Sequence, residues 1–481
     1  IRAALLVMIY ISSVCTEDSE VCTRCNCYKK ALIQSLYTVN CVNENLHYAF
    51  PDPGHWPDYS FESDTRMAVN FDWNMIKHLN KFPSIPGIVS LSLRYNHMTS
   101  LEEGAFMDLV NLKALDLSYN ELTVEGIQAD VFRGRYSSEH YEPLGIVILN
   151  LGNNNIHSLT AHSFEHLPNL KELRLDYNPL SVIDSTILTA LESPVSLEIL
   201  DLAYTGISDI PQGFVDLPSI RHKLKQLYLN GNKFTEVPQT LAALGDSLEK
   251  LNLNDNPIQE LHEDSFRGLL MLREVNISAM SQLQRIGPST FSHLKNLEIL
   301  QCSYNTKLSE IDEEAFTYQQ GGQIPLKQLH IMSNNLHYLS ENLVPWESMT
   351  VIDVQNNPWR CDCNLEWFVT KLAPILENSS PDFLTQIHCS EPLQLSGMSI
   401  LAFRDPDNVH LLCDSGLRTH GKHHFTRVYL SLLSVSIIAL LSITLGFMAF
   451  YFIRQRTNRA VDFSVFKISN IRYVKMFNTR T

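Results

Sequence analysis

Between residues 66 and 359 apolar positions return along the chain in one fixed arrangement. LKALDLSYNEL (112–122), LKELRLDYNPL (170–180), LKQLYLNGNKF (224–234) and LEKLNLNDNPI (248–258) carry apolar residues at their first, fourth, sixth and eleventh positions and asparagine at the ninth. That ninth position falls at Asn96, Asn120, Asn154, Asn178, Thr205, Asn232, Asn256, Met280, Asn305, Asn334 and Asn357, with a weaker copy at Asn74, which makes twelve copies. The LxL alternation predicts a short strand with one buried face, and stacked copies pair their strands into a parallel sheet. The asparagine is polar at an otherwise buried corner, so it needs partners, which the backbone of adjacent coils can supply copy after copy. Met280 cannot supply an amide, and a locally weaker ladder is expected there. Phe106, Phe164, Phe214, Phe266, Phe291 and Phe316 follow the ladder by nine to eleven residues and form a second core layer. Strands are narrower than the segments that return the chain, so the stack should curve and leave its sheet as a concave face.

This pattern resembles the leucine-rich repeat over about three fifths of the chain. The resemblance implies an α/β solenoid, a curved horseshoe whose concave parallel sheet has about 12 short strands. Such a stack exposes an apolar face at each end and must be capped. Cysteines stand at both ends. TVNCVNENL, with Cys22, Cys25, Cys27 and Cys41, resembles the N-terminal flanking module of secreted repeat proteins, and NPWRCDCNLEWF, with Cys389 and Cys413, resembles the C-terminal one. That likeness implies Cys22 with Cys27, Cys25 with Cys41, Cys361 with Cys389 and Cys363 with Cys413; sequence alone does not fix connectivity. Zinc is the rival reading of Cys22-x-x-Cys25, but a secreted context and the position of the caps favour disulfides. Cys302 replaces an inward leucine and reads as a buried thiol. Two insertions depart from the pattern: HYAFPDPGHWPDYSFESD (47–64), read as a cover for the first coil, and GIQADVFRGRYSSEHYEPLG (126–145), which should bulge at the rim or convex side.

The compartment follows from two apolar runs. IRAALLVMIYISSVC has the layout of a secretory leader, and residues 428–453 form 26 positions without a charge, more than the roughly 20 needed to span a bilayer. The expected organisation is a leader over 1–15, an N-terminal cap over 16–65, repeats over 66–359, a C-terminal cap over 360–414, a stalk over 415–427, a membrane helix over 428–453 and a short basic tail over 454–481. That makes the chain a single-pass type I protein of the plasma membrane with its repeats outside. The net charge is −15; the tail from Arg454 carries seven basic residues against Asp462, net +6, which leaves −21 on the rest. So acidic a body argues against nucleic acid as a partner.

Candidate chemistry is sparse. No phosphate-cradling loop, nucleophile elbow or metal constellation emerges, THGKHH (419–424) reads as a solvated linker, and neither catalysis, a cofactor nor a small-molecule substrate is expected. Outward strand positions are free of packing duty and should carry recognition of a protein ligand, a second copy of the chain included. The central outward column holds Asp116, Asn150, Arg174, Asp201, Tyr228 and Asn252, and the column before the ladder holds Tyr119, Tyr177 and Tyr204. These nine are the candidate ligand-binding residues. Asn276-Ile277-Ser278 and Asn378-Ser379-Ser380 are glycosylation sequons, the first on the central column. A shed or matrix-associated structural protein, or a co-receptor working through its span and tail, is the alternative; YVKM (473–476) in that tail matches the pattern of sorting and phosphotyrosine signals.

Overall fold

A computed structural model describes residues 19–29, 36–57, 66–136, 141–318 and 322–404, together with 446, 448, 449 and 453. The chain divides into two units, Ile1–Leu412 and Cys413–Thr481. In the second, the four described positions are helical and exposed. No helix among the described residues is long and apolar enough to cross a membrane. The expected leader, stalk and tail, Cys413, and all but those four positions of 428–453 lie outside the described residues.

The first unit is built on one 14-stranded sheet. Its strands are β1 (Asn26–Lys29), β2 (Leu36–Asn40), β3 (Arg66–Asn70), β4 (Ile88–Ser92), β5 (Ala114–Asp116), β6 (Ile148–Asn150), β7 (Glu172–Arg174), β8 (Ile199–Asp201), β9 (Gln226–Tyr228), β10 (Lys250–Asn252), β11 (Glu274–Asn276), β12 (Ile299–Gln301), β13 (Gln328–His330) and β14 (Val351–Asp353). β3 to β14 are the twelve repeat strands, all parallel. The two beyond the expected number come from the N-terminal cap: β2 pairs parallel to β3, and β1 closes the edge antiparallel to β2. That hairpin puts a terminal strand where an open sheet edge would recruit other chains.

The ladder forms as a chain of amides. Asn120 is typical: its Oδ1 accepts from the Met98 amide at 3.1 Å, and its Nδ2 donates to the carbonyls of Leu93 and Leu117, both at 3.0 Å. One side chain thus sews its own strand end to the preceding coil. Asn74 does this for the cap, accepting from Glu44 and Leu46 and donating to the Cys41 carbonyl. Thr205 is too short to reach the preceding coil: its hydroxyl donates to the Leu202 carbonyl and lies 3.2 Å from Asn232 Oδ1 of the following coil. At Met280 the pattern stops, and the next asparagine does not repair it, because Asn305 Nδ2 points to the Cys302 Sγ at 3.2 Å. The equivalent carbonyls of Phe71, Leu93, Leu117, Leu151, Leu229 and Ile331 each receive two amides, whereas neither ladder side chain is directed to that of Ile277.

Phe82, Phe106 and Phe132, and again Phe266, Phe291 and Phe316, stack ring on ring in the second core layer. Phe132 belongs to the 126–145 insertion, so that segment supplies its coil with a core phenyl before turning out as a hairpin of Arg135–Tyr136 with Tyr141–Glu142. Of the 47–64 insertion the described part, 47–57, covers the first coil: Phe50 and Trp56 are buried against Phe71, and the Trp56 indole donates to the Phe50 carbonyl. Three disulfides are present, Cys22–Cys27, Cys25–Cys41 and Cys361–Cys389, and Cys363 is also disulfide-bonded. Cys302 is a free, buried thiol whose pKa burial pushes up to about 12. At the far end Trp359, fully buried, packs edge-on to Phe368, and a short helical segment, Ala373–Ser379, follows.

Candidate functional site

The strand register sets the open face of the sheet. Asn70, Ser92, Asp116, Asn150, Arg174, Asp201, Tyr228, Asn252, Asn276, Gln301, His330 and Asp353 are successive partners across β3 to β14, one unbroken row. Six of the nine candidate residues lie in it. Their neighbours reach across: Asn150 Nδ2 donates to Asp116 Oδ2 at 3.1 Å, the Arg174 Nε to Glu172 at 2.6 Å, and Lys250 stands 5.6 Å over the Tyr228 ring.

These positions are less free than the sequence reading supposes. Asn70, Asp116, Asn150, Asp201, Asn252 and Asn276 each accept, through Oδ1, the backbone amide two residues on, at 2.8 to 3.1 Å. Five of these strands are three residues long and that of Asn70 is five, and the chain turns inward directly after each, so that amide has no ladder partner of its own. Each of these six Asn and Asp residues therefore terminates its strand, as an Asx turn does. Recognition at these coils has to share the side chain with that duty, whereas Arg174 and Tyr228 are released from it.

The row before the ladder has its own backbone reason. Trp73, Tyr95, Tyr119, Asn153, Tyr177, Tyr204, Gly231 and Asp255 all adopt positive φ, between 52° and 67°. This left-handed step swings each side chain out of the turn and along the sheet edge. Consecutive rings then stack: Trp73 on Tyr95 at 3.9 Å, Tyr95 on Tyr119 at 4.1 Å, and Tyr177 on Tyr204 at 4.3 Å. Trp73 is 56% and Tyr177 51% exposed, too much apolar area for packing alone to explain. Glycine at 231 is required twice, for its φ of 67° and because a methyl there would fall inside the Tyr204 ring, which lies over it to donate to Asp255 at 3.0 Å. Burial, and then that carboxylate, push the Tyr204 phenol up to about 12.

A third outward row, two residues before the ladder, escaped the sequence reading although period two along the strand points to it. It brings Asp72, Arg94 and Asp176 to the same surface. Arg94 lies 5.2 and 5.5 Å over the Tyr95 and Tyr119 rings with its Nε 3.7 Å from Asp116. Asp176 is raised above the ordinary carboxylate range by burial and by the nearby Asp116, against the pull of Arg174 and Arg94. Asp201 is raised to about 6, again by burial first and then by Asp176. Protonation is thus favoured by the folded state. Its unfavourable contribution is fully present above pH 6 and disappears as the pH falls toward the unfolded value of 3.8. Asp201→Asn keeps the acceptor for Ala203 and removes the charge, so it should raise stability at pH 7 by about 1–2 kcal/mol and flatten the gain on acidification; equal pH profiles for the two proteins in urea titrations would refute this.

Asn276 occupies the central row, and Asn378 lies on the helical segment of the C-terminal cap with its Nδ2 donating to the Pro374 carbonyl at 3.1 Å. Among the described residues no group of three or more His, Cys, Asp or Glu is arranged to hold a metal ion.

Comparison with known proteins agrees with this architecture. The leucine rich repeat family profile matches residues 82–134, 145–193 and 222–280. Podocan of Mus musculus is 26% identical over 320 residues, 63% of this chain and 50% of podocan. The transforming growth factor beta activator LRRC33 of Danio rerio is 28% identical over 338 residues, 69% of this chain and 41% of its own. The chain therefore spans about half the length of podocan. Lumican of Rattus norvegicus is 30% identical over 256 residues, covering 50% of this chain and 70% of lumican. With its repeats matched by the family and two thirds or more of lumican covered at 30% identity, the chain belongs to the extracellular leucine-rich repeat family.

Proposed function

We propose that the protein is a cell-surface recognition or adhesion receptor that binds a protein ligand on the concave face of its repeats. In this reading residues 428–453 cross the plasma membrane once, the repeats over 66–359 lie outside between caps 16–65 and 360–414, and the tail 454–481 is cytoplasmic. The observation that carries it is the pairing of an unbroken polar row with an exposed aromatic row on one rigid sheet. Aromatics fixed by backbone and stacking lose little freedom on binding, and such residues dominate protein interfaces. One relative is named for activating transforming growth factor beta. The 26-residue uncharged run supports the anchored form over the shed or matrix-associated one; recovery of shed ectodomain with no membrane-bound form would reverse that preference.

A sugar on Asn276 would occupy the groove and confine a protein ligand to one side of it. Peptide mapping of the secreted and membrane forms decides whether that glycan, and the one on Asn378, exist. The same chemistry tests the face. Asn254→Thr makes Asn252 an acceptor within the central row, and Asn254→Val is its matched control. On cells displaying the full chain, partners found by proximity labelling should be lost with the glycan and kept with valine. Undiminished capture by protein carrying a verified glycan on Asn252 would overturn the concave-face reading.

A further inference from the structure

The aromatic row is interrupted once between its two stacks. Tyr119 and Tyr177 are separated by a single coil, whose residue in the row is Asn153, and backbone bonds from Tyr119 to Gly152 and from Asn153 to Asp176 place the three coils side by side. Each tyrosine leans on a ring behind it, Tyr119 on Tyr95 and Tyr177 on Tyr204, so each turns its other face to the gap. Neighbouring strands lie about 4.8 Å apart, so the two rings are roughly 9–10 Å apart across two coils. A planar group midway would sit about 5 Å from both ring centres, inside the range for a cation over an aromatic face.

The floor of the gap is a carboxylate. Asp176 leans over Gly152, so closely that any side chain at 152 would collide with it, and it therefore lies under the slot rather than under its own coil. Asn153 Nδ2 touches it at 3.4 Å. No lysine, arginine or histidine among the described residues lies within ion-pair distance of Asp176 or of its neighbour Asp201, while Arg174 is held by Glu172. One coil away the protein already uses the chemistry in question, with Arg94 across Tyr95 and Tyr119 and beside Asp116.

From this we infer that the slot between Tyr119 and Tyr177 is a receptor for an arginine side chain of the protein partner, its guanidinium sandwiched by the two rings and paired with Asp176. The inference rests on the concave-face reading and specifies its partner as one presenting a basic, arginine-bearing segment. Planarity and charge are both needed: a lysine ammonium lacks the faces that two parallel rings offer, and a neutral ureido group lacks the charge.

The test uses the full chain in lipid nanodiscs and three fluorescent octapeptides of alternating glycine with arginine, lysine or citrulline, read by anisotropy. Arginine should bind at least fivefold tighter than lysine and tenfold tighter than citrulline. Tyr119→Asn and Tyr177→Asn place in those turns a residue the row already carries at positive φ, so the fold is kept; each should erase the preference for arginine. Asp176→Asn should weaken the arginine peptide about tenfold, and Tyr177→Phe should retain it. Tyr304→Ser, which removes an exposed tyrosine of the same row outside the slot and places there a residue the row carries at Ser333, should stay within twofold. Equal binding of arginine and lysine, or an arginine preference that survives both tyrosine variants, overturns the slot. A partner blocked by the Asn252 glycan yet indifferent to Tyr119→Asn and Tyr177→Asn refutes the slot alone, whereas one indifferent to all three changes refutes the concave-face reading itself.

Discussion

Asn120→Ala is expected to cost on the order of 3 kcal/mol, more than any exchange on the open face. The substitution removes four buried bonds at once, leaving the Met98 amide without its acceptor and the Leu93, Leu117 and Ser118 carbonyls each one donor short. Stranding a buried backbone group costs about 1–3 kcal/mol, partly offset where a carbonyl keeps another donor. Because each coil touches only its neighbours, the loss should be local, with the Met98 amide exchanging far faster while coils beyond Asn232 are unaffected. The converse change is informative. Met280→Asn should gain about 1 kcal/mol by restoring donors to Leu253 and Ile277 and an acceptor to the Ile258 amide, and in the unsubstituted protein exchange at Ile258 should outpace that at Phe234, whose amide meets Asn256. An unchanged urea midpoint for Asn120→Ala, or uniform protection from 250 to 310, would refute the ladder as the element coupling the coils.

Removing the Cys361–Cys389 bridge, with alanine at both positions, should cost about 3–4 kcal/mol. The closed loop spans a sequence separation of 28, and the entropy it denies the unfolded chain amounts to roughly 3.6 kcal/mol at that length. Both cysteines are buried, and the bridge ties the short strand Trp359–Arg360 to its partner Cys389–Glu391, so the cover over Trp359 is lost with it. Unfolding should therefore begin at β14 and be visible as a red shift of tryptophan emission before the central coils melt. A variant whose tryptophan signal and global unfolding still coincide at the original midpoint would exclude this role.

What was readable in the sequence divides along physical lines. The ladder and the inward leucines were legible because burial fixes residue type at a constant spacing, so Asn96 to Asn357 announce themselves. The N-terminal hairpin was not, since LYTVN carries no LxL step, and its pairing to β3 depends on the Asn74 amide reaching Glu44 and Leu46 across some thirty residues. On the open face, the row from Asn70 to Asp353 could be placed by counting, but its Asx caps could not: that Asn150 or Asn252 serves its own backbone depends on how soon the strand turns. Asp176 was hidden for a related reason. It stands in an outward row like any other, and only the missing side chain at Gly152 reveals that its carboxylate lies beneath the next coil.

The interruption at Met280 bears on mechanics as well as on stability. A stack of coils pulled from its ends opens where the bonding between neighbours is thinnest, and two successive ladder positions are thinned here, Met280 with no amide and Asn305 with its donor turned to Cys302. Load applied along the chain would part the structure between the coils of Leu253 and Ile277, since the Ile277 and Cys302 coils keep the bond from the Met280 amide to Asn305 Oδ1, leaving the aromatic rows from Trp73 to Tyr204 intact on the N-terminal side. In single-molecule stretching the first rip should release the C-terminal coils as one length, so that the recognition surface survives a force that has already lengthened its tether.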